Sequence, residues 1–232
     1  MSPYHHGFVG GRQSALPVGK VVCVGRNYAE HAKELNNPIP DQPLLFIKPA
    51  TSIIAFDSAI ALPRYGGQCH FETELSILIG EQLSANCVGD VKAKIAGYGL
   101  GLDLTLRELQ DKLKSKGHPW EMAKAFDGAC PLSAFVPAEE IAHPECLGLR
   151  TCVNGKLRQE GFAKEMLTPI PELLAYITEY FTLNAGDVVL TGTPAGVGPL
   201  YHADKLALSL LLSEVGEAKT KTIAEYTCAV AE

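Results

Sequence analysis

Short strand-like runs separated by short turns constrain the fold of this chain more than any other sequence feature. Period-two alternation and β-branched content predict strands at residues 20–24, 44–48, 71–79, 96–104, 147–153, 156–159, 187–191 and 205–212. Because most of these runs are joined by short loops rather than long crossovers, the pattern favours an α+β or mixed-sheet fold over a doubly wound α/β fold.

Two helices and one tight turn complete the predicted elements. A helix is predicted over residues 105–116, where leucines recur at spacings of three and four, and a second over residues 171–181, which begins with a proline. The dipeptide Asn154-Gly155 predicts a two-residue hairpin turn, since both residues tolerate a positive φ.

Length and charge indicate the class of protein. The 232 residues, 47% of them hydrophobic, are predicted to form a single domain over residues 1–232. A net charge of -6 without a basic cluster argues against nucleic-acid binding. The first twenty residues contain neither a basic leader nor a continuous apolar core, and no later apolar run could span a bilayer. We therefore expect a cytoplasmic protein that does not bind membranes.

Two glutamates in the segment HFETELSILIG form the first candidate site. Strand alternation places Glu72 and Glu74 on one face and the apolar residues on the other. Adjacent carboxylates repel unless a cation or solvent lies between them, so the pair could bind a hard metal ion. The alternative is an exposed strand face with two solvated glutamates.

Asp103 adds a third carboxylate from a glycine-rich segment. It has the same strand parity as Gly97, Gly99 and Gly101, so its face is nearly free of side chains. Such glycines leave room either for a ligand or for tight sheet packing. Three oxygen donors from two strands suit Mg²⁺ or Mn²⁺, which prefer six oxygen ligands and would keep open positions for water or substrate.

His70 permits a rival interpretation of the same segment. With Glu72 and a second histidine, which could be His118, His143 or His202, it could complete the two-histidine, one-carboxylate triad of non-haem iron enzymes. Those other histidines lie in turn-like sequence. The favoured interpretation is that His70 orients a metal-ligating carboxylate.

A candidate general base lies in the segment GRNYAEHAKE. His31 and Glu34 are three residues apart on a short helical turn, so the carboxylate can fix the imidazole tautomer. The alternative is an exposed helix whose His and Glu face water.

Further candidates could bind an anionic substrate. Arg107 and Gln110 lie opposite the leucine stripe of the first predicted helix, a few residues after Asp103. The glycine-rich turn TGTPAGVGP offers backbone N–H groups and the Thr193 hydroxyl, which could hold a carboxylate. This turn lacks the ending of a nucleotide-binding P-loop.

Taken in order over about residues 21–200, the motifs resemble the fumarylacetoacetate hydrolase family, in particular its single-domain acylpyruvase and oxaloacetate-acting branch. The motifs are GRNYAEHAKE, LLFIKPATSII, HFETELSILIG, GYGLGLDLTLRELQ, AKAFDGACP and GDVVLTGTPAGVGP. The resemblance implies a β-rich α+β fold of mixed sheets rolled together with a few short helices, usually as a homodimer. Residues 1–19 and the tail beyond about residue 204 carry no recognised motif.

The resemblance also implies roles for individual residues. Mg²⁺ or Mn²⁺ would be held by Glu72, Glu74 and Asp103. His31 and Glu34 match a water-activating dyad on a segment that behaves as a lid, and Lys124 matches a lysine beside the metal. The substrate pocket would be lined by Arg26, Lys48, Arg107, Gln110 and Thr193.

The function expected from this resemblance is hydrolysis of an acylpyruvate such as fumarylpyruvate. Water activated by His31 would attack the distal carbonyl, and cleavage of the carbon–carbon bond would expel a pyruvate enolate stabilised by the metal and Lys124. The same enolate chemistry supports alternatives: oxaloacetate tautomerisation or decarboxylation, or a 2-hydroxyhepta-2,4-dienedioate-type isomerisation. Outside catalysis, the alternative is a module that binds a metal or an organic acid.

Overall fold

The computed structural model describes residues 4–35, 38–85, 90–214 and 219–231. Its strands are β1 (Val21–Gly25), β2 (Leu44–Lys48), β3 (Ile53–Ala55), β4 (Cys69–Phe71), β5 (Thr73–Ile79), β6 (Ile95–Leu102), β7 (Thr105–Leu106), β8 (Cys130–Leu132), β9 (Val136–Pro137), β10 (Leu147–Val153), β11 (Lys156–Phe162), β12 (Val188–Leu190), β13 (Gly198–Pro199), β14 (Lys205–Ser213) and β15 (Thr220–Ala229). Its α-helices are α1 (Ala29–Glu34), α2 (Arg107–Ser115), α3 (Glu121–Lys124) and α4 (Ile170–Tyr180). No helix in these four ranges is both long and apolar enough to cross a membrane.

Mixed sheets with short helices form the fold, which confirms the predicted β-rich α+β class. The largest sheet has the order β2-β1-β12-β5-β6-β8-β3, and β9 pairs with β6. The other sheets have the orders β11-β10-β14-β15 and β13-β4-β7. Most pairs are antiparallel, but β1 pairs with β12 and β3 with β8 in parallel.

The centre of the largest sheet is buried on both faces. Val21, Val22 and Cys23 of β1 are fully buried, as is all of β12. Continuous apolar sequence of this kind is typical of strands that are covered on both sides. The sheet therefore provides a rigid frame for the residues at the ends of its strands.

The predicted strands at 44–48 and 147–153 agree with β2 and β10 residue for residue. The predicted hairpin is also present, since β10 and β11 are joined through Asn154 and Gly155, with φ values of 51° and 74°. The predicted helix 171–181 is α4, shifted by one residue. The helix predicted from 105 begins at Arg107, because Thr105 and Leu106 pair with β4 instead.

The predicted strand 71–79 is interrupted. β4 and β5 are separated by Glu72 and belong to different sheets. Alternation continues across the break, so the sequence pattern does not reveal it. As a result, Glu72 lies where two sheets meet rather than on the face of one strand.

The glycines of β6 pack against the protein itself. A Cβ on Gly99 would lie 2.9 Å from Ser133 Oγ, and one on Gly101 would lie 2.7 Å from a methyl group of Leu190. Of the two possibilities left open by the sequence, room for a ligand or tight sheet packing, the structure supports tight packing at these glycines.

Candidate active site

Three buried carboxylates converge at the junction of β4, β5 and β6. Antiparallel pairing of β5 with β6 sets Glu74 opposite Gly101, and the N–H of Asp103 donates to the carbonyl oxygen of Glu72 at 2.8 Å. One side-chain oxygen from each of Glu72, Glu74 and Asp103 lies within 4.8 Å of the others. All three residues are at most 5% exposed, so the alternative of solvated glutamates on a free strand face is wrong.

Cationic side chains surround the carboxylates. Lys124, on α3, places Nζ 2.7 Å from Glu72 Oε2 and 2.6 Å from Asp103 Oδ2. Arg107, at the start of α2, donates to Glu72 Oε1 and also to Gln110 Oε1 at 2.7 Å. These ion pairs offset the repulsion between buried like charges.

The pKa values of the two glutamates move in opposite directions. Burial alone would raise the pKa of Glu72, but the charges of Lys124 and Arg107 outweigh it and hold that pKa well below its usual range. Burial and the charge of Asp103 raise the pKa of Glu74 well above its usual range, despite the 2.6 Å hydrogen bond that Glu74 accepts from the Gly192 N–H. Ionised Glu74 therefore needs more positive charge than its neighbours supply.

These observations fit a hard divalent cation. The donor atoms are all carboxylate oxygens, which Mg²⁺ and Mn²⁺ prefer. Asp103 Oδ1 is buried and lies 2.9 Å from Lys48 Nζ. A cation bound among the three carboxylates would favour the ionised form of Glu74.

A histidine–glutamate dyad lies beside the carboxylates. His31 Nδ1 is 3.2 Å from Glu34 Oε2 within α1, and Glu34 Oε1 accepts a 3.0 Å hydrogen bond from the Gly196 N–H. His31 is only 5% exposed and lines the same cavity as the carboxylates. Because Nδ1 is held by Glu34, Nε2 is the ring nitrogen left for chemistry. The alternative of an exposed dyad is therefore wrong for His31.

One cavity of about 40 Å³ brings these groups together. Nearly all the predicted site residues line it, namely Arg26, His31, Glu72, Glu74, Asp103, Arg107, Gln110, Lys124 and Thr193. The rest of the wall consists of residues that no sequence pattern predicted to be in the site, namely Val24, Gly25, Leu35, Leu44, Phe46, Lys114 and Trp120.

The motifs identified along the chain lie together in one site, and a family model matches nearly the whole chain. Residues 20–226 match the family model described as fumarylacetoacetate (FAA) hydrolase C-terminal. The chain belongs to the fumarylacetoacetate hydrolase family. The predicted resemblance is thereby confirmed.

Relatives within the fumarylacetoacetate hydrolase family differ in their activities. The oxaloacetate tautomerase of Escherichia coli K12 is 49% identical over 88% of this chain and 94% of the relative. The mitochondrial oxaloacetate tautomerase of Homo sapiens is 44% identical over 80% of this chain and 84% of the relative. The crystal structure of fumarylpyruvate hydrolase from Pseudomonas aeruginosa in complex with Mn²⁺ and pyruvate matches with a TM-score of 0.87 and 31% identity, over 100% of this chain and 97% of that one.

These relatives change the balance between the predicted activities. Membership of the family supports an enzyme with a metal site, and the carboxylate cluster agrees with it. The tautomerases are the more similar proteins, so the alternative of oxaloacetate tautomerisation is better supported than the main prediction of acylpyruvate hydrolysis.

Lys48 does not line the cavity, contrary to expectation. It is fully buried and donates to the carbonyl oxygens of Leu104, at 3.3 Å, and of Lys124. Its charged end therefore lies beneath the site, where it supports the backbone that carries Lys124 and faces Asp103.

The glycine-rich turn TGTPAGVGP also differs from expectation. The Thr193 hydroxyl donates to the carbonyl oxygen of Thr73 and accepts from Gln159 Nε2, both at 2.7 Å. The N–H groups of Gly192 and Gly196 bind Glu74 and Glu34. The N–H groups of Gly192 and Gly196 thus position carboxylates of the protein itself. Together with the Thr193 hydroxyl, they are not available to donate to a substrate carboxylate.

His70 does not orient a metal-ligating carboxylate in the structure. Its Nδ1 is buried and makes no hydrogen bond. Within the described ranges, the cluster of potential metal ligands contains only carboxylates, and His118, His143 and His202 are all exposed. The two-histidine iron site therefore has no support.

Proposed function

We propose that this protein is a divalent-metal-dependent oxaloacetate tautomerase, which interconverts the enol and keto forms of oxaloacetate. The observation that carries the proposal is the greater similarity of the chain to oxaloacetate tautomerases than to fumarylpyruvate hydrolase. The geometry supports it, because a buried base lies beside a cluster of cations in one cavity.

Tautomerisation needs a proton at one carbon and charge stabilisation at one oxygen. His31 is the group that we assign to proton transfer at C3 of the substrate, with Glu34 holding its tautomer through Nδ1. From keto to enol, C3 loses a proton and the C2 oxygen gains one. From enol to keto, the oxygen loses its proton and C3 gains one, so no further reactant is consumed. A base placed in this way contributes about 10² to 10⁴ in rate.

The cations of the site would stabilise the negative charge on the substrate. We infer that Arg107 and Gln110 bind the C1 carboxylate, since both line the cavity and are hydrogen-bonded to each other. Lys124 is held by Glu72 and Asp103, and its ammonium would stabilise charge that develops on the C2 oxygen. A bound Mg²⁺ or Mn²⁺, held by the three carboxylates, would supply Lewis-acid polarisation of the 2-oxo group.

Apolar residues form part of the cavity wall beside the polar groups. They are Leu35, Phe46 and Trp120, and the ring centroids of Phe46 and Trp120 are 6.0 Å apart. These side chains would contact the carbon chain of a bound acid.

Product analysis with purified protein tests the proposal. Enol-oxaloacetate, keto-oxaloacetate and fumarylpyruvate would each be supplied with Mg²⁺ or Mn²⁺, and enol loss, pyruvate and fumarate would be measured separately. We expect faster enol–keto conversion than without protein, and little pyruvate from any of the three substrates. Rapid release of pyruvate and fumarate from fumarylpyruvate, without tautomerisation, would instead establish an acylpyruvate hydrolase.

We also propose that the protein is a homodimer, as the family resemblance implies. Light scattering of the purified protein would measure its mass in solution directly. A mass equal to that of one chain, 24.9 kDa, would contradict the proposal.

A further inference from the structure

The helix face that carries Arg107 and Gln110 carries one more cavity residue, Lys114. The three residues follow one another at spacings of three and four, so they lie on one side of α2, and all three line the cavity. Lys114 is half-buried, whereas Lys112 on the same helix is exposed and does not line the cavity. The proton transfer proposed above makes no use of Lys114.

Arg26 faces the same cavity in an unusual backbone conformation. Its φ is 61°, a left-handed value that costs a non-glycine residue about 1–3 kcal/mol and is retained mainly at functional sites. The neighbouring Asn27 fixes this turn, because its side chain donates to the carbonyl oxygen of Thr191 at 2.9 Å and accepts from the N–H of Thr168 at 2.8 Å. Arg26 is thus held at the cavity wall despite the strain.

The positive charges of Lys114 and Arg26 lie close enough to repel each other. Burial lowers the pKa of Lys114, and the charge of Arg26 lowers it further. Arg107 and Lys124, which line the same cavity, both contact Glu72. Among the described residues that line the cavity, four are Lys or Arg and three are Asp or Glu. A divalent cation bound to the three carboxylates would raise the excess of positive charge from one to three, which suits a ligand with two negative charges better than a ligand with one.

We propose that Lys114, together with Arg26, binds the distal carboxylate of a dicarboxylic 2-oxo acid and so selects dicarboxylic over monocarboxylic substrates. This inference rests on the proposed function, because it takes the other end of the substrate to be bound at Arg107. Lys114 lies roughly 10 Å further along α2 than Arg107. Helical side chains lean towards the N-terminus of their helix, which directs Lys114 back towards the cavity that it lines.

Two unreactive acids with the same number of carbons measure how much the distal carboxylate contributes to binding. Malate and 2-hydroxybutanoate differ only in a carboxylate or a methyl group at the far end, and neither can tautomerise. Their binding to metal-loaded protein would be measured by calorimetry for the wild type, Lys114→Met, Arg26→Asn and the control Lys112→Met. Methionine retains most of the lysine stem, and asparagine tolerates a positive φ.

We expect the wild type to bind malate at least about tenfold more tightly than 2-hydroxybutanoate, as a charge-assisted hydrogen bond would give. Lys114→Met and Arg26→Asn should each lose about tenfold in malate affinity and leave 2-hydroxybutanoate binding within about twofold. Lys112→Met should change neither. Equal losses for both acids in Lys114→Met, or unchanged malate binding, would overturn the inference.

The inference and the proposed function fail in different ways. If the wild type does not tautomerise oxaloacetate but shows the selective malate effect, the function is wrong and the dicarboxylate subsite stands. If the wild type is a tautomerase and Lys114→Met leaves KM for oxaloacetate unchanged, the subsite is wrong and the function stands.

Discussion

The backbone N–H of Gly196 donates a 3.0 Å hydrogen bond to Glu34, the carboxylate that holds His31. The glycine-rich turn after β12 therefore positions the dyad of α1, although the two segments are far apart in sequence. Loops of this kind contribute to catalysis through backbone groups as well as through side chains.

Replacement of Gly196 by alanine tests this relationship. Its φ is 103°, and an added Cβ would lie 1.9 Å from the carbonyl oxygen of Arg158, so the turn must move and release Glu34. We expect Gly196→Ala to lower kcat about tenfold or more, as expected when a base loses its orienting partner. Gly155→Ala is the control, because that residue has a φ of 74° but open space around it. It should cost about 1–2 kcal/mol in stability and leave kcat unchanged.

His31→Asn should remove the proton-transfer group and retain the metal site. We expect kcat to fall by about 10² to 10⁴, while Mn²⁺ affinity measured by calorimetry stays near the wild-type value. His143 gives a matched control, since its Nδ1 lies 3.0 Å from Glu145 in a similar but exposed pair. His143→Asn should have full activity, and an equal loss in both variants would contradict the assignment.

Asp103→Asn tests the metal site with little change in shape. The amide cannot supply a charged ligand, and it removes one of the two carboxylates that hold Lys124. We expect Mn²⁺ affinity to fall at least about 100-fold, with activity lost in parallel. Asp57, which is exposed, provides the control Asp57→Asn. Wild-type Mn²⁺ binding by Asp103→Asn would show that the carboxylate cluster is not a metal site.

Lys48→Met should chiefly affect stability. The substitution leaves Asp103 and two carbonyl oxygens without their buried cation, which costs about 3–5 kcal/mol for a broken internal pair. Lys94, which lies 3.6 Å from the mostly exposed Glu81, is the control, and Lys94→Met should cost at most about 1 kcal/mol. Urea unfolding of both variants measures the difference. Equal free energies of unfolding would contradict the supporting role of Lys48.

Local patterns in the sequence identified most of the candidate site. Strand parity related Glu72 to Glu74, and helical spacing related His31 to Glu34 and Arg107 to Gln110, because these relations depend on residues close in sequence. The same spacing extended by one turn reaches Lys114. It was missed because an amphipathic helix always has a polar face, and sequence does not say which polar residues face a cavity.

The missed features depend on distant contacts. Lys48 is buried because its ammonium donates to the carbonyl oxygens of Leu104 and Lys124. The Thr193 hydroxyl already accepts a hydrogen bond from Gln159. β15 was not predicted because most of it is exposed, so its apolar alternation is weak. None of these three facts is visible until the sheets are assembled.

β12 lies between β1, which leads to Arg26 and His31, and β5, which carries Glu74. A growing polypeptide on the ribosome therefore cannot align these two strands until residue 190 has emerged. At cellular rates of translation, roughly 5–20 s separate the synthesis of β5 from that of β12. During that interval the apolar strand β5 lacks its neighbour β12. A chain released from the ribosome before β12 is made would lack a complete site.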